Sequence, residues 1–494
     1  MSAHGGRSEK RGNGVGMTTF EALLEHPQGR RAAGAAVALG AAVASFGFGV
    51  ALVAIAWHLS ENASPAVLLA IPLVPLVALG VLVAPVLAAI TVFATFPVGA
   101  VTVPTGVIPL QTVELAVLAM VTVVVLRRLA RAQLPLPWQP PLYWALALLV
   151  WSIVALHSAI DDTLALKQVA SLFGGIIFAA SMLAACRTMD NLRVVLGAFV
   201  AVTAGIAATS FSGGVRLKPA YGAESVAGRL SGAFEHPNQL GALCALGISV
   251  ALGLAFGARR AQARVAAAVA VVVIATALTF TLSRGAWIGT ALALLFLLVA
   301  LSEVRRALII LIVPGIIVIG LIASFVPVGQ SEIKVVGERA RALTALSPYD
   351  NRREIYAEAW REIRANPVTG VGPGGFPIAS ARAGSRTSTY AVAHAHNLLL
   401  TWGAEAGLPA VLFILGLALS LALAAREAGR AFRRLGRRED RAIVAGLAAG
   451  LLAILGQGAF DYVLRNAVAN MAVWAMIGAL LVCLREARRA ASSR

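Results

Sequence analysis

Two histidines one residue apart, His394 and His396, and several arginines at the edges of apolar runs are the side chains of this sequence best suited to chemistry. A His-x-His pair can ligate a metal, but the neighbouring sequence supplies neither a third ligand nor an acidic partner. At the mouth of an apolar run the pair also suits proton transfer, because imidazole is the side chain that titrates nearest neutrality. Of the two, His396 is directly followed by Asn397 and the run, so a helix start fixes its backbone. His394 stands two residues further out, with no such constraint. Arg284 lies in a short hop, Ser283-Arg284-Gly285, between two apolar runs and has no acid near it. Arg352 and Arg353 stand in Asn351-Arg-Arg-Glu354, a capping-box pattern that predicts a helix to about Asn366, where Pro367 stops it. A guanidinium at a helix N-terminus favours an anion, and its planar fork matches phosphate oxygens. The competing reading pairs these arginines with Glu332, Glu338, Glu354, Glu358 and Glu362 on a solvated helix. Gly370-Val-Gly-Pro-Gly-Gly375 lets backbone amides approach closely, but it lacks the Lys-Ser/Thr of a P-loop and no strand precedes it, so it reads as a turn.

Most of these residues belong to the long polar segment, about residues 326–397, of a chain that is otherwise apolar. With 59% apolar and 13% charged residues and a mean hydropathy of +0.83, the composition excludes an ordinary soluble domain. Runs long enough to cross a bilayer, about 20 residues each, fall near 34–58, 65–82, 84–100, 109–126, 141–157, 168–186, 193–211, 239–257, 264–282, 285–301, 307–326, 397–425, 441–462 and 466–484. The fold expected is therefore all-α, a polytopic bundle of about fourteen membrane spans. The net charge of +18 sits in clusters on alternate loops, as the positive-inside bias requires, and does not point to nucleic acid. That alternation places both termini in the cytoplasm. It divides the chain into a basic tail at 1–33, a bundle at 34–326, an extracytoplasmic loop containing helix at 327–396, spans at 397–485 and a second basic tail at 486–494. It also leaves Arg216, Lys218, Arg229, Arg284, Arg352, Arg353, Arg382, Arg386 and Arg465 on the face where positive charge is disfavoured. An anionic ligand would account for them. Cys186, Cys244 and Cys483 lie far apart in apolar runs and suggest neither disulfide nor metal knuckle.

Four motifs in order resemble the O-antigen ligase and polymerase superfamily of bacterial surface glycan assembly. They are Thr281-Leu-Ser-Arg-Gly-Ala-Trp287, Asn351-Arg-Arg-Glu-Ile-Tyr356, Asn366-Pro-Val-Thr-Gly-Val-Gly372-x-Gly-x-Phe376, and His396-Asn-Leu-Leu-Leu-x-x-x-x-Glu405-x-Gly407-Leu. Arg229-Leu-Ser-Gly-Ala-Phe-Glu-His-Pro-Asn238 fits as well, while residues before about 225 match only in hydropathy. The resemblance implies an inner-membrane glycosyltransferase of GT-C type, inverting and metal-independent, without cofactor. Its donor would be an undecaprenyl-diphosphate-linked oligosaccharide at the outer leaflet of the lipid bilayer. His396 would assist the acceptor hydroxyl and Arg284, Arg352 and Arg229 would hold the diphosphate. Arg353, Asn397, His394, Ser283, Asn238 and Glu405 would support them. Polymerisation of O-antigen or exopolysaccharide repeat units is expected, with a flippase and a chain-length regulator as companions. A ligase acting on lipid A core, protein or another terminal acceptor is the alternative. From another class, a polysaccharide flippase or transporter would rest on Glu114, near the end of its run and without a partner in sequence.

Overall fold

The computed structural model describes residues 85–99, 101–103, 109–130, 139–212, 229–301, 305, 352–382 and 394–493; from Val86 onward they belong to one compact unit. The elements are α1 (Pro85–Ala94), a two-residue ladder of β1 (Thr102–Val103) with β2 (Leu110–Gln111), α2 (Thr112–Ala130), α3 (Pro140–Val154), α4 (Asp162–Ala185), α5 (Met189–Thr209), α6 (Pro237–Phe256), α7 (Ala261–Phe280) and α8 (Arg284–Ala300). Two helices of the polar segment follow, α9 (Arg352–Ala365) and α10 (Phe376–Arg382), and then α11 (Leu398–Arg434), α12 (Arg438–Gly458) and α13 (Ala467–Ser492). Among the described residues eight helices are long and apolar enough to cross a membrane: α3 with its 3-10 extension to Ser158, α4, α5, α6, α7, α11, α12 and α13. The expected runs at 34–58, 65–82 and 307–326 lie outside the described residues, as does Asn351. The run at 84–100 yields only the ten-residue α1, which gives way to a 3-10 turn carrying Pro97.

Helix starts are fixed by short polar side chains that accept otherwise orphaned backbone N–H groups, each contributing about 0.5–2 kcal/mol. Asp161 caps α4, Thr188 caps α5, Ser283 caps α8, Asn397 caps α11 and Asn466 caps α13. His236 caps α6 through Nδ1, which accepts the Asn238 N–H at 3.1 Å. Burial then sorts the helices. The most apolar stretch of α13 is entirely inside the protein, as a helix apolar all round requires. By contrast α11 turns Leu408, Leu412, Leu415, Leu419 and Leu423 outward, a stripe at helical spacing that suits lipid. Between α6 and α12, Gly253 and Gly446 let the backbones meet so closely that a Cβ on Gly253 would lie 2.9 Å from the Gly446 Cα, the small-residue packing usual in a bilayer.

The glycine-rich turn is a packing device. Helix α11 breaks at Gly407, whose φ is +76°, and Pro409 follows it. The backbone groups freed there are satisfied by other segments, as buried polar groups require. Leu408 N–H donates to Pro367 O and Val371 N–H to Ala404 O, each at 2.8 Å. Trp151 Nε1–H donates to Ala406 O at 2.8 Å. A Cβ on Gly370 would lie 2.4 Å from Ala404 O, and one on Gly407 2.0 Å from Val368 O. Gly407→Ala is therefore expected to cost at least the ~1–3 kcal/mol of a strained φ, read as a clear fall in Tm in detergent; an unchanged Tm would mean that the break is not constrained by the turn.

The loops gather at two ends. At one, Arg193 and Arg437 share the buried Asp440, and Arg259 Nε bonds Glu439 at 2.5 Å. That end unites the basic loops after α4, α6 and α11. At the other end lie the starts of α6, α8, α11 and α13 and the α12–α13 connection, tied together by Gln457 Nε2–H donating to Asn238 O at 2.8 Å and by Asn466 Nδ2–H donating to Gln239 Oε1 at 3.2 Å.

Candidate active site

Asp461, in the short connection between α12 and α13, is the centre of that second end. Its Oδ1 lies 2.9 Å from His396 Nδ1, and its Oδ2 accepts from Asn238 Nδ2–H at 2.5 Å. The chain continues from Asn238 to Arg229, whose Nη2–H donates to Asn238 Oδ1 at 2.8 Å while Nε–H donates to Thr281 O at 2.9 Å. Arg229, Arg284 and Arg352 line one small cavity of about 30 Å³ together with Ser283, Asn238 and Asp461. Three arginines from separate stretches of chain thus meet at one point, beside the N-termini of α8 and α9, where the positive helix ends add to their charge. Arg353, next on α9, is exposed and does not line that cavity.

The histidine segment is held in a strained backbone. Among the described residues the non-glycine positions with positive φ are Leu282, at 51°, and His396, at 49°; both flank this cluster, and such strain collects at functional sites. Asn397 fixes the turn twice, accepting the Leu400 N–H at 3.0 Å and donating to Ala459 O at 3.1 Å. Tyr356 of α9 places its hydroxyl 3.2 Å from His396 O. This tyrosine therefore links the polar-segment helix to the His396 turn.

Two expectations need correction. The sequence around His-x-His holds no acid, yet Asp461 reaches both histidines, because two helices fold it back across 65 residues. Nor is His394 unconstrained: its Nδ1 accepts the His396 N–H at 3.1 Å, its Nε2 lies 3.7 Å from Asp461 Oδ1, and its ring stacks edge-on against His396 and Tyr462. His394, His396 and Asp461 are close enough to hold a metal ion. In the arrangement described, His394 Nδ1 accepts the His396 N–H and both Asp461 oxygens have hydrogen-bond partners. Glu405 stands apart from this cluster, buried beneath the glycine-rich turn, with Oε2 accepting from Gln168 Nε2–H at 2.8 Å. Glu114 also has a partner, the Gln111 N–H at 2.8 Å.

Burial and cationic surroundings set the charges. Burial outweighs the pull of Asp461 on His236 and lowers it from 6.5 to about 4, with Arg229 acting in the same direction. Burial likewise lowers His394 to about 3 against the pull of Asp461. For Asp461 itself burial acts upward, but the His396 hydrogen bond, the two histidines and Asn238 prevail and hold it far below the usual carboxylate range. His236 and His394 fold neutral, so above pH 6.5 their contribution to stability is intact. As pH falls from 6.5 toward 4 the unfolded chain takes up protons first and stability is lost. Asp461 acts in the same sense below its ordinary value of 3.8. The Tm of the purified protein is expected to fall steadily over pH 6.5–4, less so in His236→Gln; a flat profile would contradict neutral burial.

A second and much larger cavity, about 1200 Å³, opens beside His394, His396 and Asp461 and continues between α11 and the rest of the bundle. Asp461 therefore borders both spaces. Neither it nor His236 stands out in sequence: His236 lies within the 229–238 stretch, but Asp461 is a lone acid in a short connection with no motif around it. No curated protein matches the chain. Residues 268–415, which contain Arg284, Arg352 and both histidines, match the family model described as O-Antigen ligase. The chain is thus a predominantly helical, multi-pass membrane protein that is similar over residues 268–415 to the O-antigen ligase family.

Proposed function

We propose that the protein is a glycosyltransferase that moves a glycan from undecaprenyl diphosphate to an acceptor hydroxyl at the outer leaflet, with inversion, polymerising repeat units. The observation that carries this reading is the meeting of Arg229, Arg284 and Arg352 at one cavity that is also lined by Asp461, the partner of His396. With Nδ1–H directed at Asp461, His396 keeps Nε2 as the free base. The acceptor oxygen gives its proton to Nε2 and forms the new bond to the anomeric carbon. The bond from that carbon to the diphosphate oxygen breaks, and the leaving diphosphate keeps the electron pair. Preorganised arginines meet that charge, each contributing a few kcal/mol, and the base about 10²–10⁴-fold. About 30 Å³ is far below the roughly 300–1,000 Å³ of small-ligand sites, so the guanidinium groups must part to admit a diphosphate.

The bonding of His394 and Asp461 favours a reaction without metal, while their spacing keeps a metal site as the competing arrangement. One assay separates the two: elongation of purified lipid-linked oligosaccharide, with and without EDTA. A ladder of products that is the same in both supports polymerisation without metal. Loss of products in EDTA, restored by zinc or manganese, would support the metal site. Single-step transfer to lipid A core with no ladder would make the protein a ligase.

A further inference from the structure

We propose that the end of the large cavity remote from His396 binds an anionic phospholipid, its headgroup on Arg426, Arg430 and Arg433 and its acyl chains between α11 and α12. The three arginines recur at i, i+4 and i+7 on α11, one face of a helix, and all line the cavity. From the Gly407 break, α11 rises about 1.5 Å per residue, so Leu408 to Arg426 spans roughly the ~30 Å of a hydrocarbon core. The arginines therefore stand at the opposite membrane boundary from the His396 centre. Below them the cavity wall is apolar, with Leu417, Leu421, Leu452 and Leu455. At about 1200 Å³ it exceeds the roughly 300–1,000 Å³ of small-ligand sites.

Topology alone calls for positive charge at that end. It does not call for three arginines on the cavity side that have no carboxylate or hydrogen-bond partner among the described residues. Their neighbours are paired: Arg193 and Arg437 with Asp440, Arg259 with Glu439, and Arg488 with Glu427, Nε to Oε1, at 2.6 Å. A phosphodiester is the anion that such a basic cluster at a membrane boundary attracts, and two acyl chains suit the apolar wall. The site is independent of the glycosyl-transfer reading, since neither the headgroup arginines nor the tail wall belongs to the His396 cluster.

Native mass spectrometry of the full chain in detergent tests this by titration with dioleoyl phosphatidylglycerol, dioleoyl phosphatidylcholine or inorganic phosphate. Phosphatidylglycerol is expected to bind the wild type tightly and phosphatidylcholine much more weakly. Arg430→Gln with Arg433→Gln should weaken binding about 25-fold, about fivefold for each arginine, without changing Tm in detergent alone. Arg438→Gln, exposed and away from the cavity, should bind as wild type does. Equal binding of the two lipids, or wild-type binding by the double variant, would overturn the site. Competition by millimolar inorganic phosphate would make it a free-anion site, and displacement by equimolar undecaprenyl phosphate would assign the cavity to the carrier's tail; either result overturns the phospholipid.

Discussion

His396→Ala is expected to reduce transfer by about 10²–10⁴-fold at neutral pH while lipid-linked donor still binds, because the arginine cavity is left intact. Donor retention on the purified variant, measured beside product formation, checks both halves. His396 is singled out by its strained φ of 49° and its 2.9 Å contact with Asp461, which fix the ring and its tautomer. Asp461→Asn keeps the size but replaces a carboxylate by an amide, so activity should fall without loss of donor binding and the pH profile of the residual activity should shift. An unchanged profile would leave Asp461 a purely structural residue. His394→Ala removes the acceptor of the His396 N–H, so partial loss is expected, with His394→Gln recovering more activity than alanine. A dead His394→Ala beside an active His396→Ala would transfer the base role to His394.

Arg284→Lys should lose activity by a similarly large factor although the charge is kept. Lysine is a point donor and cannot span two phosphate oxygens as the guanidinium fork does. Arg284 follows Ser283, the cap of α8, so its backbone is fixed by the helix start and its side chain is delivered to the cavity shared with Arg229 and Arg352. Arg352→Ala should behave alike, reached from α9 instead. Arg353→Ala should retain most activity, because that side chain is exposed and does not line the cavity. The loss in the first two should appear as weaker donor binding as well as slower transfer, the opposite pattern to His396→Ala. Wild-type activity in Arg284→Ala would discard the anion site.

Hydropathy and charge patterning made the class of this protein legible without coordinates, since apolar runs of bilayer length and basic clusters on alternate loops are local properties of the chain. Local too was the helix start at Asn397, which sits directly before an apolar run and is the N-cap of α11; that Ser283 caps α8 came from the structure. Arg284 and Arg352 stood out because positive charge on that face lacked a reason. What no local signal contained was how those residues meet. Asp461 lies 65 residues from His396 and 223 from Asn238, and it reaches both only because α11 and α12 run out and back, returning the chain to Ala459 beside Asn397. The role of Glu405 was equally hidden. The sequence placed Glu405 only among the supporting residues; in the structure the glycine-rich turn packs over it and it is a buried hydrogen-bond acceptor. Periodicity records which face of a helix is apolar; which helix ends converge depends on packing between segments far apart in sequence, and that packing alone placed the three arginines around one cavity and His396 beside another, with Asp461 bordering both.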